Sequence, residues 1–319
     1  GRPARGHRIA ARPVDFVPMT TITGRLRIGP GPTATKHERL AFRLLLPVFG
    51  TVVVVATIPF VLALIQSVTR AGEFVGLANY VRAVSNPLLA ESLRQTAIYA
   101  LIVVPSEILL GMGLALLVHR TIRSAAVKAA IYVLAIVPIV IPGVAAGVIF
   151  RLIFAPEYGL LNFILEQLGI IQNQILWLSV PPLAMLSVAS VDIWQWTAFV
   201  YLVMFAALQT VPHEAVEAAQ VDGASAWAQF RHIELPFIRS LVVLVLFFRI
   251  ADVLRVFDHV FILTGGGPGT TTEFLSLYLY RIAFKFSDLP QASALAVMVM
   301  VGMTLFYTVI LRFTPLEAD

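Results

Sequence analysis

The chain has 319 residues, 59% of them hydrophobic and 13% charged, with a mean hydropathy of +0.87. Soluble domains carry about 25% charged residues, so the composition excludes a soluble globular protein and predicts an integral membrane protein. There is no cysteine, which excludes disulfides and thiol-based metal or redox centres. The formal net charge is +5, and nine of the 23 Lys and Arg lie in the first 43 residues. Beside a membrane span, such a basic tail predicts cytoplasmic retention and no nucleic-acid partner.

Residues 1–39 are rich in Pro, Gly, Arg and Thr and show no apolar period. They predict a disordered tail, and no apolar core with a cleavage site makes them a signal peptide. About 20 apolar residues span the hydrocarbon core as a helix. Six segments meet that length: Leu44 to Thr69, Leu93 to Val118, Lys128 to Phe154, Pro181 to Leu208, Phe237 to Leu263 and Leu289 to Leu311. Backbone polar groups in lipid must be bonded within the segment, so each is a helix. The reading is an all-α membrane protein with a six-helix domain over residues 40–313, a polar loop at 212–236 and a short tail at 314–319.

Several spans are irregular. Pro105 interrupts the second; Pro138, Pro142, Gly143 and Gly147 interrupt the third. Proline kinks a helix by removing a hydrogen bond, and small residues let helices approach closely. Either packing with bending or a hinge for alternating access accounts for them.

Charges at membrane depth are functional candidates by default. Arg249, Asp252, Arg255 and Asp258 recur in three-residue steps of alternating sign. At that spacing they pair along one helix, as a self-neutralising ladder or as the lining of a path. Asp192, Trp194, Gln195 and Trp196 sit at similar depth in the fourth span. Acids and amides bond sugar hydroxyls, and tryptophan rings stack on sugar rings or simply pack. Glu107, alone in the second span, is expected to pair with a buried arginine. No arrangement of nucleophile and base, no HExxH and no histidine cluster points to an enzyme or a metal site.

Six spans place both ends of the domain on one side. The tail, the 119–128 loop, the 209–239 loop and the C-terminus carry fifteen Lys and Arg; the three alternate loops carry six. The excess predicts that both termini and the 209–239 loop are cytoplasmic. Pro212 closes the fourth span. A short helix with Glu214, Glu217 and Gln220 beside a small-residue face, Ala215, Ala218 and Ala219, is expected next. Gly223 favours a turn through positive φ, and a second short helix over 224–233 is expected before Leu235 and Pro236. A helix lying on anionic lipid prefers Lys and Arg. This one carries Glu214, Glu217, Asp222 and Glu234, which suits a protein partner.

Residues 217–236 read EAAQVDGASAWAQFRHIELP. In Glu217, Ala218, Ala219, Gly223, Ile233, Leu235 and Pro236 this stretch resembles the EAA loop of bacterial ABC importer permeases. Phe74 to Tyr80, FVGLANY, and Leu254 to Gly269, LRVFDHVFILTGGGPG, resemble the carbohydrate-uptake branch. Within it, the chain looks like the first of two unlike permeases in maltose-, glycerol-phosphate- and trehalose-type systems, in a compact six-span form. The resemblance runs from about Leu40 to Phe313.

It implies a type I importer permease fold in a bacterial inner membrane. It also implies a second six-span permease, two ATPase subunits and an extracellular solute-binding protein as partners, beside membrane lipid. No cofactor is expected in this chain; ATP and Mg belong to the ATPases. The loop, with Asp222 beside the seven motif residues, is implied to dock on an ATPase, with Glu217 pairing a basic group. The expected path residues are Arg249, Asp252, Arg255, Asp192, Trp194, Gln195 and Glu107. The glycine-rich 265–269 stretch lacks the Lys-Ser/Thr of a phosphate loop and reads as an extracellular turn. An ion- or proton-coupled carrier using the buried Asp and Arg pairs is the alternative; it would need no EAA loop.

Overall fold

The computed structural model describes residues 36–313, which form helices joined by turns, one small hairpin and two longer loops at 168–180 and 264–274. The predicted disorder of the basic tail, up to residue 35, and the 314–319 tail lie outside the described residues. The chain divides into two compact units, Gly1–Phe60 and Val61–Asp319. Helix α1, Lys36–Val68, crosses that division. It starts before the expected boundary at Leu40, because Lys36-His-Glu-Arg already favours a helix and adds polar turns before the apolar run.

A two-residue hairpin, β1 (Thr69–Arg70) and β2 (Glu73–Phe74), follows, then α2 (Ala78–Val84). Helix α3, Pro87–Thr121, starts with Asn86 accepting a hydrogen bond from the Leu88 N–H. Its Pro105 interrupts nothing: α3 runs continuously through it. The third span is not one helix. Helix α4 (Ala125–Val140) and α5 (Gly143–Ile153) meet at 94°. Pro142 forces Ile141 out of the helical region, to ψ 121°, so the chain turns a corner there.

Short helix α6 (Leu160–Gln167) leads to α7, Pro181–Leu208. The polar loop holds α8 (His213–Val221), α9 (Ala226–Gln229) and a π turn over Phe230–Glu234. The fifth span is also broken: α10 (Leu235–Val253) stops ten residues short of the expected Leu263, and α11 (Asp258–Leu263) resumes after a gap. Helix α12 (Leu275–Tyr280), a second π turn and α13 (Leu289–Phe313) complete the chain.

Four helical stretches among the described residues are long and apolar enough to cross a membrane alone: Arg43–Val68, Pro87–Thr121, Pro181–Leu208 and Leu289–Val309. The bent pair α4 and α5 makes a fifth candidate. The 19 residues of α10 reach about 28 Å at 1.5 Å per residue, enough for a sixth despite three charges.

Helix α7 is the axis of the larger unit. Its side chains Val188, Val191, Val200, Met204 and Leu208 are all buried. Gly111 of α3 brings that helix against it. A Cβ at Gly111 would lie 2.6 Å from the Val200 Cβ, so no larger residue fits without separating the helices.

Candidate functional site

The corner between α4 and α5 frees two carbonyls, and in lipid each needs a donor. Gln195 of α7 supplies both: its Nε2 donates to the carbonyls of Pro138 at 3.2 Å and Ile141 at 2.6 Å. Opposite the corner lies the gap between α10 and α11. Small residues bring these two breaks together. A Cβ at Gly147 of α5 would meet the Ile262 Cβ at 2.9 Å, and one at Gly143 would meet the Asp258 Cβ at 3.0 Å. Between the breaks is a cavity of about 320 Å³, lined by Asp192, Gln195, Trp196, Asp252, Arg255 and Asp258 among others.

Arg249 forms the floor behind the cavity and is 0% exposed. Its guanidinium joins three helices. Nε and Nη2 grip both oxygens of Glu107 on α3, at 2.5 and 2.8 Å. Nη2 also donates to Asp192 of α7 at 3.1 Å, and Nη1 to Asp252 at 2.6 Å. Its flat face lies 4.4 Å from the centre of the Trp196 ring. A planar fork with five N–H groups suits such multiple binding, where lysine would offer one point charge.

The expected four-charge ladder does not form on one helix. α10 ends at Val253, so only Arg249 and Asp252 share its face. Arg255 lies in the gap, 3.9 Å from Asp252, with its side chain 71% exposed. Asp258 begins α11. The main partner of Arg249 is instead Glu107, 142 residues away in sequence.

Trp194 is a correction to the sequence reading. Residues two apart on a helix point about 200° apart, so Trp194 turns away from the cavity. It packs at 5.2 Å on Phe150 and borders an apolar groove with Leu110, Leu114 and Leu134. Trp196 takes the cavity wall. Gln195 does line the cavity, but its amide N–H groups are committed to the two carbonyls.

The polar loop is built as a separate surface. On α8, Glu217 and Ala218 are exposed, Ala219 is half-buried, and Asp222 caps the helix end. Gly223 makes the turn with φ 77°. Val221 and Trp227, at 88% and 65% exposed, stand beside them; both are apolar residues that the charge-based reading passed over.

Three expectations for the loop change. The second helix is four residues followed by a π turn, not one helix over 224–233. Ile233 and Leu235 face inward, packed on the cluster that contains Phe205, Ile238 and Val245, while Pro236 is exposed. Glu234 is not part of the acidic face: it is buried, 2.6 Å from Arg120 at the end of α3.

At the other end of the unit, Arg82 pairs with Asp288. Gly265, Gly266 and Gly269 all take positive φ in the glycine-rich turn. A Cβ at Gly266 would strike the Glu273 carboxylate at 2.2 Å. Glu273 pairs with Arg281 at 2.9 Å. Burial raises the Glu273 carboxyl above the ordinary glutamate range, against the opposing pull of Arg281 and Lys285. The two ion pairs Arg120–Glu234 and Arg82–Asp288 thus sort the loops into the same two groups as the Lys and Arg count.

Residues 107–316 match the family described as "Binding-protein-dependent transport system inner membrane component". The chain is 32% identical over 290 residues to a trehalose/maltose transport system permease protein of Thermococcus litoralis, covering 89% of this chain and 96% of that protein. It is 36% identical over 225 residues to a sulfoquinovosyl glycerol transport system permease protein of Agrobacterium fabrum, covering 70% and 71%. The fold is similar to a chain of a bacterial ABC transporter that imports the acidic polysaccharide alginate. There the TM-score is 0.78 at 22% identity, over 88% of this chain and 97% of that one. The apolar helices, the broken crossings and these matches together identify the chain as a member of the binding-protein-dependent transport system inner membrane component family, a permease subunit of an ABC importer and not an enzyme.

Proposed function

We propose that this permease serves an importer of carbohydrates and forms one wall of the path at the cavity between the two helix breaks. The observation that carries this reading is the cavity itself. It sets acceptor carboxylates, Asp192 and Asp252, beside an indole face, Trp196, and a largely exposed cation, Arg255. Carboxylates accept hydrogen bonds from sugar hydroxyls, and aromatic faces suit the apolar faces of sugar rings. Arg249 and Glu107 act behind the wall, holding Asp192, Asp252 and Trp196 in place. The trehalose/maltose name of the Thermococcus relative supports the same class.

The exposed face of α8 docks on an ATPase subunit through Glu217, Ala218, Ala219, Asp222 and Gly223, with Val221 and Trp227 widening the contact. ATP and Mg act in two such ATPase subunits. A second permease completes the path, and an extracellular binding protein delivers the solute. A neighbouring solved structure of the alginate transporter is described as a complex with a periplasmic protein. The loop with α8 lies in the cytoplasm, together with both ends of the membrane domain; the Lys and Arg excess supports this sidedness.

Mild-detergent purification of the chain from its native membrane, followed by mass spectrometry, tests the reading. Co-purification of an ATPase, a second six-span permease and a solute-binding protein is expected. The binding protein should then shift its melting temperature with a carbohydrate. Recovery of the chain alone, under conditions that keep a known importer intact, would overturn the docking assignment and favour ion-driven transport.

A further inference from the structure

We infer that the cavity selects carbohydrates bearing no acidic group, and that Asp258, the acid of the wall without a cation partner among the described residues, sets this preference. This rests on the reading of the cavity as the wall of a carbohydrate path.

Two cations stand at the cavity, Arg249 behind its wall and Arg255 in its lining, and either is a candidate to hold an anion. The geometry closes the first of these. Arg249 is buried, and its N–H groups bind Glu107, Asp192 and Asp252. One flat face of it is covered by Trp196. Four of its five N–H groups are thus committed, so a phosphate or carboxylate entering the cavity finds at most one N–H there, on a buried cation already flanked by three carboxylates. Arg255 is the other cation of the wall, and its side chain is mostly exposed while leaning towards Asp252.

The acids outnumber these bases. Asp192, Asp252 and Asp258 line the cavity against one lining arginine, Arg255, while Arg249 and Glu107 are paired with each other behind the wall. Asp258 is paired with no cation among the described residues, and its side chain lies over Gly143 at the corner of the cavity. Unlike charges close by would offset these carboxylates, but the described walls supply none beyond the two arginines. At a few ångströms in a partly desolvated site, each uncompensated carboxylate repels an anion far more strongly than in water.

Hydrogen-bond chemistry points the same way. Ionised carboxylates only accept. A hydroxyl of an uncharged sugar donates to them; a phosphate dianion or a uronate carboxylate has no proton to give. Gln195 cannot compensate as a donor, because its N–H groups already hold the Pro138 and Ile141 carbonyls. His259, also in the lining, has its Nε2 3.2 Å from the Tyr99 hydroxyl. The volume of about 320 Å³ is at the small end of ligand sites, which run from about 300 to 1,000 Å³. It suits a small saccharide unit.

The absence of cysteine from the chain gives a direct test on the assembled transporter. Val256→Cys places one thiol in the cavity lining, and the same complex without it provides the blank. It is labelled with a cationic and an anionic methanethiosulfonate of similar size, each rate divided by that on a free thiol. The cationic reagent should be favoured by about tenfold or more. Asp258→Asn in the same background should shrink that ratio severalfold, whereas Glu214→Gln on α8 should not move it. Trehalose and maltose should slow the labelling; trehalose 6-phosphate and maltobionate, at the same concentration, should not.

A preference for the anionic reagent overturns the inference, as does equal protection by the acidic sugars. An unchanged ratio in Asp258→Asn removes that residue from the assignment. A strong cationic preference with no protection by either neutral sugar overturns the carbohydrate reading while leaving the charge of the cavity established. Ile139→Cys, on the opposite side of the cavity, repeats the measurement if Val256→Cys fails to assemble.

Discussion

The polar loop and the buried charge cluster were both conspicuous as sequence, yet they translate into structure very differently. In the loop, the informative residues are neighbours. Glu217, Ala218 and Asp222 share one short helix and one turn, and their exposure follows from local spacing. In the cluster, the residues that touch come from three helices, and the spacing along one of them misleads. Arg249 and Asp252 are partners three apart, but Glu107 and Asp192 are 142 and 57 residues from Arg249. A motif read along the chain is sound where the chain itself makes the contact; a charge ladder needs the fold.

The two regions should therefore fail in different ways when broken. Arg249→Leu should have the largest effect, because it leaves Glu107 and Asp192 without a cation and Asp252 with only the exposed Arg255. Removing one partner of a buried ion pair costs about 3–5 kcal/mol, so the variant should lose both its cooperative melting in detergent and its uptake. Arg249→Lys should recover melting only in part. If Arg249→Leu melts like the wild type, the cluster is not holding α3, α7 and α10 together.

Glu217→Lys should abolish uptake and co-purification of the ATPase while leaving membrane insertion and melting unchanged. A variant that transports at the wild-type rate would remove the docking assignment and erase the contrast between the regions. Gln195→Leu sits between the two. It keeps the side-chain bulk but leaves the Pro138 and Ile141 carbonyls unsatisfied, at about 1–3 kcal/mol. Its signature should be a lowered melting temperature, with docking of the ATPase intact. The smallest effects are expected at the cavity wall. Asp252→Asn should reduce uptake severalfold and more than Asp258→Asn, since Asp252 also anchors Arg249. Equal, negligible effects would mean that the cavity charges do not touch the solute.

Much of the architecture was legible because it follows from hydropathy. The second, fourth and sixth spans appear as α3, α7 and α13, close to where their apolar runs lie. The breaks were half-legible. Pro138 and Pro142 mark the third span as irregular, but Pro105 carries the same mark and α3 passes through it unbroken. What separates the two cases is a second proline, adjacent glycines and a donor from another helix, Gln195. The break after Val253 had no proline to announce it; its signal is the crowding of four charges into ten residues. Trp194 and Trp196 could have been told apart by helical phase alone, had Gln195 and Asp192 been taken as the inward face. The burial of Glu234 could not have been read locally, because its partner Arg120 stands at the end of another helix.

That last pair has a mechanical consequence. Glu234 is the residue before α10, and Arg120 is the next-to-last of α3. The bond between them clamps the ends of two crossings into one stiff part, at the side where the loop is exposed. A displacement of α8 is then felt by α3 as well as by α10, and through Glu107 and Arg249 the same two helices are bolted again farther along. The two helices are thus fastened at two points along a shared edge. If α8 moves, these two fastenings should carry α3 and α10 together, and the cavity wall at Asp252 with them.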